Sequence, residues 1–449
     1  MSFTKVIQPF VEAIHKVLSV SKIRELARKT GFIERQGKLK AEEFLIISAF
    51  LNQTFGGSSL RDLCSAMSRL SSGTQLSKQA LDQRFTKESV VFLREMFFQL
   101  AAQQNLVSIP FDLDRLFSRI RILDATSIST PKHDSSYPDG TKIQLEYELY
   151  QGRFMHALLY DLMDSDQEAA RELEETIEKG DLVLRDLGYF SGEHLKNIDK
   201  NQGYYITRVP ANQTFWTWNE EGEKVKLHPE EDGEHLKPGE RIDYGWIQIG
   251  KKGKNTCLSR VVVQKLTKKE QRQREVYLKR RRQKGAKTPS ANKRTHIQIL
   301  ATNVTQEQLD AQDLYPIYSL RWQIEILFKT WKSLFDIDDV RAVKSERFEC
   351  HLYGTLIHIL LSSMIAFQCR NYLYQEKAFE ASEYKCIDEA KNAIISAKDR
   401  PIFSFSYLQS IIKNIYENIC KHGEKERRNQ QKSMRDILYK TYKKTFHMA

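Results

Sequence analysis

The clearest chemical pattern in the sequence is a set of polar residues that recur every three or four positions near the middle of the C-terminal half. Tyr318, Arg321, Glu325, Lys329 and Lys332 are separated by three, four, four and three positions. At 3.6 residues per turn, this spacing places them along one face of a helix. Taken alone, such a stripe is typical of exposed ion pairs between residues i and i+4, so its meaning depends on whether other acids lie near Glu325.

Two further acids end apolar segments that alternate like strands. Residues 119–124 and 181–186 are predicted to be strands that finish at Asp124 and Asp186. If these strands are parallel neighbours, both carboxylates emerge at the same edge of the sheet, where Glu325 could join them. Other acids compete for the same role, because periodicity does not say which carboxylate faces a site: Asp161, Asp164 and Asp181.

A cluster of three carboxylates indicates a site for hard divalent cations, Mg²⁺ or Mn²⁺. Two such ions, about 3.5 to 4 Å apart, would activate a water or a 3′-hydroxyl for attack on a phosphodiester, without a protein nucleophile. Arg321, Lys329 and Lys332 would offset backbone charge, and Tyr318 could donate to a phosphate oxygen. No GxxxxGK[ST] loop is present, so no ATP requirement is expected.

The elements that must position these residues follow from periodicity. Strands are predicted at 141–150, 154–163, 204–209 and 296–302, and helices at 166–178 and 192–201. A single long helix is predicted from about 306 to 335. Its apolar stripe should seat it on the sheet, and consists of Ile317, Leu320, Ile324, Leu327, Trp331 and Leu334.

The N-terminal region, 3–105, is predicted to be helical. Two short helical segments, 59–67 and 77–85, are joined by a turn, with Ser77 as the N-cap of the second. The second segment would expose Lys78 and Arg84, so a helix-turn-helix-like DNA contact is one interpretation. A small helical bundle with a polar face is the alternative.

The α/β pattern breaks between residues 210 and 294, which indicates an insertion that should be rich in strands. It contains three of the five tryptophans: Trp216, Trp218 and Trp246. Between Lys265 and Arg294 there are thirteen lysines and arginines and two acids. This density favours DNA contact over a merely solvated helix. The candidate contacts within it are Arg280, Arg281 and Arg282.

The overall composition agrees with a partner that is a polyanion. The formal net charge is +12, which favours nucleic acid. The six cysteines form no CxxC pair and so argue for a reducing compartment and against structural zinc. Residues 350–369 carry no formal charge, but their histidines and serines favour a buried core helix over a membrane span. We expect a cytoplasmic protein without a signal peptide or membrane contact.

The order of Asp124, Asp186 and Glu325, together with Tyr318-x2-Arg321-x3-Glu325-x6-Lys332, resembles the DDE transposases of bacterial insertion sequences. In particular it is similar to the fourth insertion-sequence family, which is defined by a Tyr-Arg-Glu-Lys signature. The segments 124–126 and 186–190 are similar to that family's first and second acid motifs. The likeness covers about residues 20–370, and it selects these three acids from the competing ones.

The resemblance implies an α/β fold: a ribonuclease H-like mixed sheet with a β-rich insertion, flanked by helical N- and C-terminal regions. The expected regions are 1–110 (helical, DNA-binding), 111–209 (first part of the core), 210–294 (insertion with the basic segment), 295–370 (second part of the core with the catalytic helix) and 371–449 (helical and basic).

The resemblance also implies a function, namely cut-and-paste movement of an element with inverted terminal repeats. A nick would release a 3′-hydroxyl that forms a hairpin with the opposite strand, and the reopened end would join target DNA. One tryptophan of the insertion would stack on a flipped base at the hairpin, and the chain would act on double-stranded DNA as a homodimer. Two other functions stay open at this point: a helix-turn-helix DNA-binding regulator, and a nuclease of the same core without strand transfer.

Overall fold

The structure is a computed structural model that describes residues 3–35, 37–51, 55–70, 75–104, 116–129, 140–250, 256–283, 295–396, 404–426 and 437. The chain forms two compact units. One comprises Met1–Phe111, Ala125–Leu162 and Ile326–Gln430, and is mainly helical. The other comprises Asp112–Asp124, Met163–Glu325 and Gln431–Ala449, and is built on a sheet.

The helical unit begins with six helices: α1 (Phe3–Leu18), α2 (Val20–Lys29), α3 (Ala41–Leu45), α4 (Leu60–Leu70), α5 (Lys78–Asp82) and α6 (Lys87–Gln103). A π-helical turn, Ile46–Phe50, continues α3. The predicted helical N-terminal region is therefore confirmed. Ser77 caps α5 as expected, since its hydroxyl accepts a hydrogen bond from the amide of Ala80 at 3.1 Å.

The core of the helical unit is α13 (Ser345–Lys377), the longest helix among the described residues. It is long and apolar enough to cross a membrane, but the qualifying stretch is entirely buried inside the protein. The prediction of a core helix at 350–369 is therefore confirmed. Two more helices, α14 (Glu383–Ser396) and α15 (Phe405–His422), follow it.

The sheet unit contains the first half of β1 (Arg119–Ser129), followed by β4 (Asp181–Arg185), β5 (Tyr204–Arg208), β6 (Phe215–Trp218), β7 (Lys224–Leu227), β8 (Arg241–Ile249), β9 (Cys257–Lys265) and β10 (Ile297–Thr302). Their order across the sheet is β1-β4-β5-β10-β9-β8-β6-β7. The second half of β1 belongs to the helical unit, where β2 (Gly140–Glu148) and β3 (Arg153–Asp161) form an antiparallel pair beside it. With β4 and β5 parallel to β1, and β2 and β3 antiparallel, the strand order β3-β2-β1-β4-β5 is the mixed sheet expected for a ribonuclease H-like fold.

Helices of the sheet unit cover its strands: α7 (Asp166–Glu172), α8 (Gly192–Lys200), α9 (Pro229–His235), α10 (Lys268–Gln283) and α11 (Ala311–Ser319). The core between strands and helices is mainly aliphatic, with Val183, Val261 and Ile299 among its buried members, and also contains Tyr205. The insertion is rich in strands as predicted, because β6 to β9 extend the same sheet. Its basic segment forms the helix α10 up to Gln283, and residues 284–294 lie outside the described residues.

Two local predictions were wrong. The strand β1 does not end at Asp124 but continues to Ser129, because its second half pairs with β2 after the parallel pairing with β4 stops at Leu123. The long helix predicted for 306–335 is two helices, α11 and α12 (Trp322–Phe335), which are separated by a turn at Leu320–Arg321. The apolar stripe is nevertheless buried as predicted, with each of its six members at most 5% exposed.

Candidate active site

The three acids selected from the sequence lie in the sheet unit, with Asp124 in the middle of β1, Asp186 directly after β4 and Glu325 near the start of α12. Parallel pairing of β1 with β4 runs from Arg119↔Asp181 to Leu123↔Arg185. Asp124 and Asp186 each follow the last paired residue, so the expectation that parallel neighbours bring them to one edge is met. Glu325 is in the first turn of α12, where a helix N-terminus favours a carboxylate.

Arg321 joins the three carboxylates. Its Nη2 lies 2.8 Å from Oε1 of Glu325, its Nη1 lies 3.7 Å from Oδ2 of Asp124, and its Nε lies 4.0 Å from Oδ1 of Asp186. The Arg321 side chain is 12% exposed, whereas those of Asp124, Glu325 and Asp186 are 21%, 28% and 46% exposed. The site is therefore an acidic edge that opens to solvent over a buried cation.

The turn between α11 and α12 explains the position of Arg321. Its amide donates to the carbonyl of Tyr318 at 3.1 Å, and the amide of Gln323 donates to that of Leu320 at 3.0 Å. Burial acts to lower the pKa of Arg321, but Tyr318, Asp186 and Glu325 raise it more. The guanidinium is therefore permanently charged and supplies one positive charge against three negative ones.

The donor set of this site fits hard divalent cations. All three side chains offer carboxylate oxygens, the ligands that Mg²⁺ and Mn²⁺ prefer. Within the described part of the chain, however, no three His, Cys, Asp or Glu side chains are close enough together to form a metal-binding group. Arg321 accounts for this, since its guanidinium occupies the space toward which the carboxylates point. Metal binding would thus require the three acids to turn from Arg321 toward the ions.

Tyr318 is held at the base of the site. Its hydroxyl donates to the carbonyl oxygen of Arg185, the residue before Asp186, at 3.4 Å. Burial raises the pKa of Tyr318 to about 12, although Arg321 and Arg208 act to lower it. Tyr318 is therefore neutral at physiological pH and remains a hydrogen-bond donor.

The two signature lysines lie further along α12. Lys329 follows Glu325 by one helical turn and is exposed. Lys332 is half-buried, and its ammonium donates to the carbonyl oxygen of Ser127 on β1 at 3.2 Å. Lys332 is thereby fixed in place against β1, whereas Lys329 lies on an exposed part of α12.

The structure separates the competing acid Asp181 from the site. Its carboxylate is fully buried and takes two hydrogen bonds from Arg119, both at 2.6 Å, and one from Arg121 at 3.0 Å. Burial would raise the pKa of Asp181, but the arginine hydrogen bonds and the amide of Glu178 lower it below its usual value of 3.8. This carboxylate is committed to an internal ion pair and has no lone pair facing a ligand site.

A second buried network supports the end of β4, and sequence analysis missed it. Arg185 donates to Nε2 of His194, and Nδ1 of His194 donates to Glu174. Burial, with the charge of Arg185 as a second cause, lowers the pKa of His194 to about 2, so the ring is neutral. Asn197 also donates to Glu174, at 2.6 Å. The network fixes the backbone immediately before Asp186, and a histidine without metal-ligand spacing gave no sign of it.

The predicted DNA-contact residues outside the acid site are on surface helices. Lys78 is exposed at the start of α5, and Arg84 is half-buried just beyond its end. On α10, Arg280 and Arg282 are exposed, whereas the side chain of Arg281 lies outside the described residues. An arginine that sequence analysis did not single out, Arg208, ends β5 in the sheet unit. Its only sequence signal is a charged residue closing an apolar strand, the same pattern that identified Asp124 and Asp186.

The three tryptophans of the insertion differ in their surroundings. Trp216 is half-buried, donates from Nε1 to the carbonyl of Gly250 at 3.2 Å, and has the ammonium of Lys224 5.1 Å from its ring centre. Trp218 and Trp246 are 48% and 45% exposed. The exposed rings of Trp218 and Trp246 are the ones available for stacking on a ligand.

Comparison with known proteins identifies a family and several relatives of this chain. Residues 115–361 match the family described as the transposase DDE domain, which spans more than half of the chain. The chain is 34% identical to the transposase for insertion sequence element IS231B of Bacillus thuringiensis subsp. berliner, covering 98% of this chain and 97% of the relative. It is 31% identical to the transposase for insertion sequence element IS1151 of Clostridium perfringens, covering 95% of both. A solved piggyBac transposase synaptic complex with hairpin DNA superposes with a TM-score of 0.47 at 11% identity, covering 96% of this chain and 87% of that one.

Proposed function

Because the chain belongs to the transposase DDE domain family, whose members cleave and join DNA, we propose that it moves its own insertion sequence by cut-and-paste transposition. It binds the terminal inverted repeats, cuts both strands through a hairpin at each end, and joins the freed ends to target DNA. The observation that carries this proposal is the meeting of Asp124, Asp186 and Glu325 around Arg321.

We further propose that these three carboxylates hold two Mg²⁺ ions, for which Mn²⁺ can substitute. Divalent-metal dependence is general in the family. Ions held there by Asp124, Asp186 and Glu325 would supply the activation of an attacking water or 3′-hydroxyl and the stabilisation of the departing oxygen. The carboxylates would bind and orient the metal ions. In the absence of metal, their negative charge holds the basic Arg321 among them.

The remaining signature residues bind the DNA backbone. Arg321, once released by the acids, keeps its full charge and offers paired N–H donors to a phosphate. Tyr318 keeps its proton and donates from its hydroxyl. Lys329 and Lys332 supply further positive charge from α12, and Lys78 and Arg84 contact DNA from the N-terminal helices. In this proposal the arginines of the basic helix α10, Arg280, Arg281 and Arg282, provide further contacts to the DNA backbone.

A tryptophan of the insertion stacks on a flipped base at the hairpin. This assignment is supported best for Trp218 and Trp246, because their rings are about half exposed while Trp216 is tied to Gly250. Stacking of a base on an exposed aromatic ring contributes about 1–3 kcal/mol. The two-ended reaction is carried out by a homodimer in the cytoplasm, with one chain on each element end.

The experiment uses a labelled duplex that carries the terminal repeat flanking the gene, with Mg²⁺ as the cofactor. Glu325→Gln and Asp124→Asn should each reduce cleavage by roughly three orders of magnitude or more, because each removes a ligand worth several kcal/mol in the transition state. Binding of the same duplex in Ca²⁺ should persist. Asp164→Asn, an exposed acid outside the site, is the matched control and should cleave normally.

The product pattern distinguishes the alternatives. Hairpin ends and joined target products support transposition, whereas cleavage without joined products identifies a nuclease of the same core. Binding without any cleavage by the unaltered chain identifies a DNA-binding regulator. Normal cleavage by both acid variants would overturn the metal-site assignment.

A further inference from the structure

The strands of the insertion are apolar on both faces, and the described residues cover only one of these faces. Phe215, Ile247 and Ile249 point into the core of the sheet unit and are each 1% exposed. Helix α9 lies on this side, since a Cβ on Gly233 would be 2.8 Å from the side chain of Val263, another core member. Because successive side chains of a strand alternate between the two faces, the residues between these core positions point to the opposite face.

The opposite face begins with a row of residues that runs across the strands β7, β6, β8 and β9. Trp216 of β6 pairs with Lys226 of β7 on one side and with Gln248 of β8 on the other. Gln248 pairs in turn with Leu258 of β9. Directly opposite residues of antiparallel strands share a face, so these side chains lie side by side. Leu258 is 54% exposed and Lys226 is also exposed, so this face is open to solvent.

A second row beside the first contains two exposed tryptophans. Trp218 pairs with Lys224 of β7, and the register of β6 with β8, continued by two residues, brings Trp246 beside Trp218. The Cβ atoms of such a cross-strand pair are about 4.5–5.5 Å apart. Trp218 and Trp246 are 48% and 45% exposed. The two rows thus form one contiguous surface, the tryptophan face, whose binding groups are Trp216, Trp218, Trp246, Lys224 and Lys226.

The tryptophan face carries positive charge. Lys224 and Lys226 are exposed, and the ammonium of Lys224 lies 5.1 Å from the ring centre of Trp216. Arg260, which pairs with Trp246 at the inner end of the second row, is buried and bound to Asp243. None of the described residues in the two rows is acidic. Contiguous exposed apolar surface marks a binding site, and lysines along its edge select a partner that is an anion.

The combination of indole rings and lysines fits nucleic acid with unpaired bases. The bases of a single strand expose flat faces that stack on aromatic side chains, while its phosphates bind lysines. In a duplex the same base faces are covered by neighbouring base pairs. Trp216 and Trp218 are about 7 Å apart along β6, and Trp246 lies one strand away, at about 4.8 Å. The rings are therefore arranged for several bases and not for one alone.

We propose that the tryptophan face binds a run of unpaired nucleotides of single-stranded DNA, with bases stacked on Trp218 and Trp246 and phosphates held by Lys224 and Lys226. The source of that strand rests on the proposed function, since nicking and hairpin formation at an element end leave unpaired DNA beside the cut. A single flipped base would occupy one ring, whereas a run of nucleotides occupies both exposed rings and both lysines.

The test measures the binding of single strands by the full chain. The probe is a labelled oligothymidylate of about six nucleotides, and a strand of equal length without bases carries the same phosphates. Affinity is measured by fluorescence anisotropy at several salt concentrations. Trp218→Ala and Trp246→Ala should each weaken binding of the oligothymidylate roughly tenfold, and the double variant roughly a hundredfold. The strand without bases should bind the unaltered chain about as weakly as the oligothymidylate binds the double variant.

Matched variants separate stacking from charge and from folding. Trp218→Phe keeps an aromatic ring and should recover part of the affinity. Lys224→Gln and Lys226→Gln should each lower the salt slope by about 0.7, the value for one phosphate of a single strand. Tyr384→Ala removes a ring that is 47% exposed in the helical unit, and should bind the oligothymidylate like the unaltered chain. Thermal melting of each variant shows that losses of binding are not losses of folding.

Three results would overturn the proposal. One is equal affinity of the unaltered chain for the oligothymidylate and for the strand without bases. Another is a loss of affinity in only one of the two alanine variants, because the face would then contact a single base. The third is unchanged strand binding by the double variant together with weaker self-association in sedimentation, because the face would then be a contact between two copies of the chain.

These results are distinguishable from failure of the proposed function. If the unaltered chain cleaves and joins terminal-repeat DNA while Trp218→Ala and Trp246→Ala both keep its single-strand affinity, only the proposal for the tryptophan face is refuted. If the unaltered chain binds the oligothymidylate through both tryptophans but neither cleaves nor joins DNA, the proposed function fails and the tryptophan face stands as a surface for single strands.

Discussion

Replacement of Asp181 by Asn should destabilise the protein strongly while leaving its chemistry in place. Asp181 and Arg121 are both completely buried, and the carboxylate accepts hydrogen bonds from Arg119, Arg121 and the amide of Glu178. Asn is nearly isosteric but neutral, so the variant leaves the charge of Arg121 buried without its partner. Removing one member of a buried ion pair typically costs about 3–5 kcal/mol.

This loss of stability should lower the melting temperature of the sheet unit by several degrees or more. For a unit of this size, each kcal/mol shifts the melting temperature by roughly 2–4 °C, so Asp181→Asn should lower the transition of the sheet unit by roughly 6–20 °C. Differential scanning calorimetry at pH 7 measures this directly. Asp164→Asn, at an exposed position, should shift the transition by no more than about 2 °C.

The pH dependence provides a second signature. The folded-state pKa of Asp181 is lowered below 3.8. The contribution of Asp181 to the free energy of unfolding is therefore complete above the pKa of about 4 that its carboxyl has in the unfolded chain. This contribution is lost as the pH falls through the lower pKa of the folded protein. The difference in urea midpoint between the unaltered chain and Asp181→Asn should stay constant from pH 7 to about pH 4.5, and should narrow below about pH 4.

Two results would refute this reasoning. One is a melting temperature for Asp181→Asn within about 2 °C of the unaltered chain at pH 7. The other is loss of divalent-ion binding in Asp181→Asn at a temperature where the variant is still folded, because that would make Asp181 a metal ligand after all. Asp186→Asn should show the opposite behaviour, with nearly unchanged stability and lost metal binding.

Two further predictions concern the helical unit and the basic helix. Gly152 has φ +66°, and a Cβ there would lie 2.3 Å from the ring of Phe367, so Gly152→Ala should lower the stability of the helical unit by roughly 2–4 kcal/mol in urea unfolding. The control is Gly222→Ala, at φ +77° with no atom within 4 Å of the added Cβ, which should lower the free energy of unfolding by only about 1 kcal/mol through backbone strain. Equal losses of stability in Gly152→Ala and Gly222→Ala would contradict the packing argument. Neutralising Arg280 and Arg282 together to Gln should reduce the salt slope of DNA binding by about 1.8, and an unchanged slope would remove α10 from the DNA interface.

Much of the sheet could be predicted from sequence because its strands are short apolar segments with local signals. Residue periodicity alone predicts the strands at 119–124 and 181–186 and the helical character of both flanking regions, but it does not predict that the two strands pair in parallel. The extension of β1 to Ser129 could not be predicted, because it depends on pairing with β2 and not on the composition of 125–129. Pairing between distant segments overrides local propensity.

The candidate site was predictable in its residue types but not in its electrostatics. The spacing from Tyr318 to Lys332 suggests one continuous helix, yet the turn at Leu320–Arg321 places Arg321 between two helices, where it reaches all three acids. The roles of Asp181 and His194 depend on neighbours that are far apart in sequence. A single charged residue gives no periodic signal, so such contacts become visible only in three dimensions.

The separation of the catalytic acids along the chain has a consequence for how the enzyme is made. Glu325 lies 139 positions after Asp186 in the sequence. The strand β10, which precedes Glu325, pairs with β5, although the insertion separates these two strands along the chain. At 5–20 residues per second, a ribosome needs roughly 7–28 s to synthesise that interval. Once α10 has been synthesised, the nascent chain carries the helices that we propose to contact DNA, but it still lacks Glu325. Under the proposed function, prematurely terminated chains would therefore occupy element ends without cutting them, and would compete with the full-length protein.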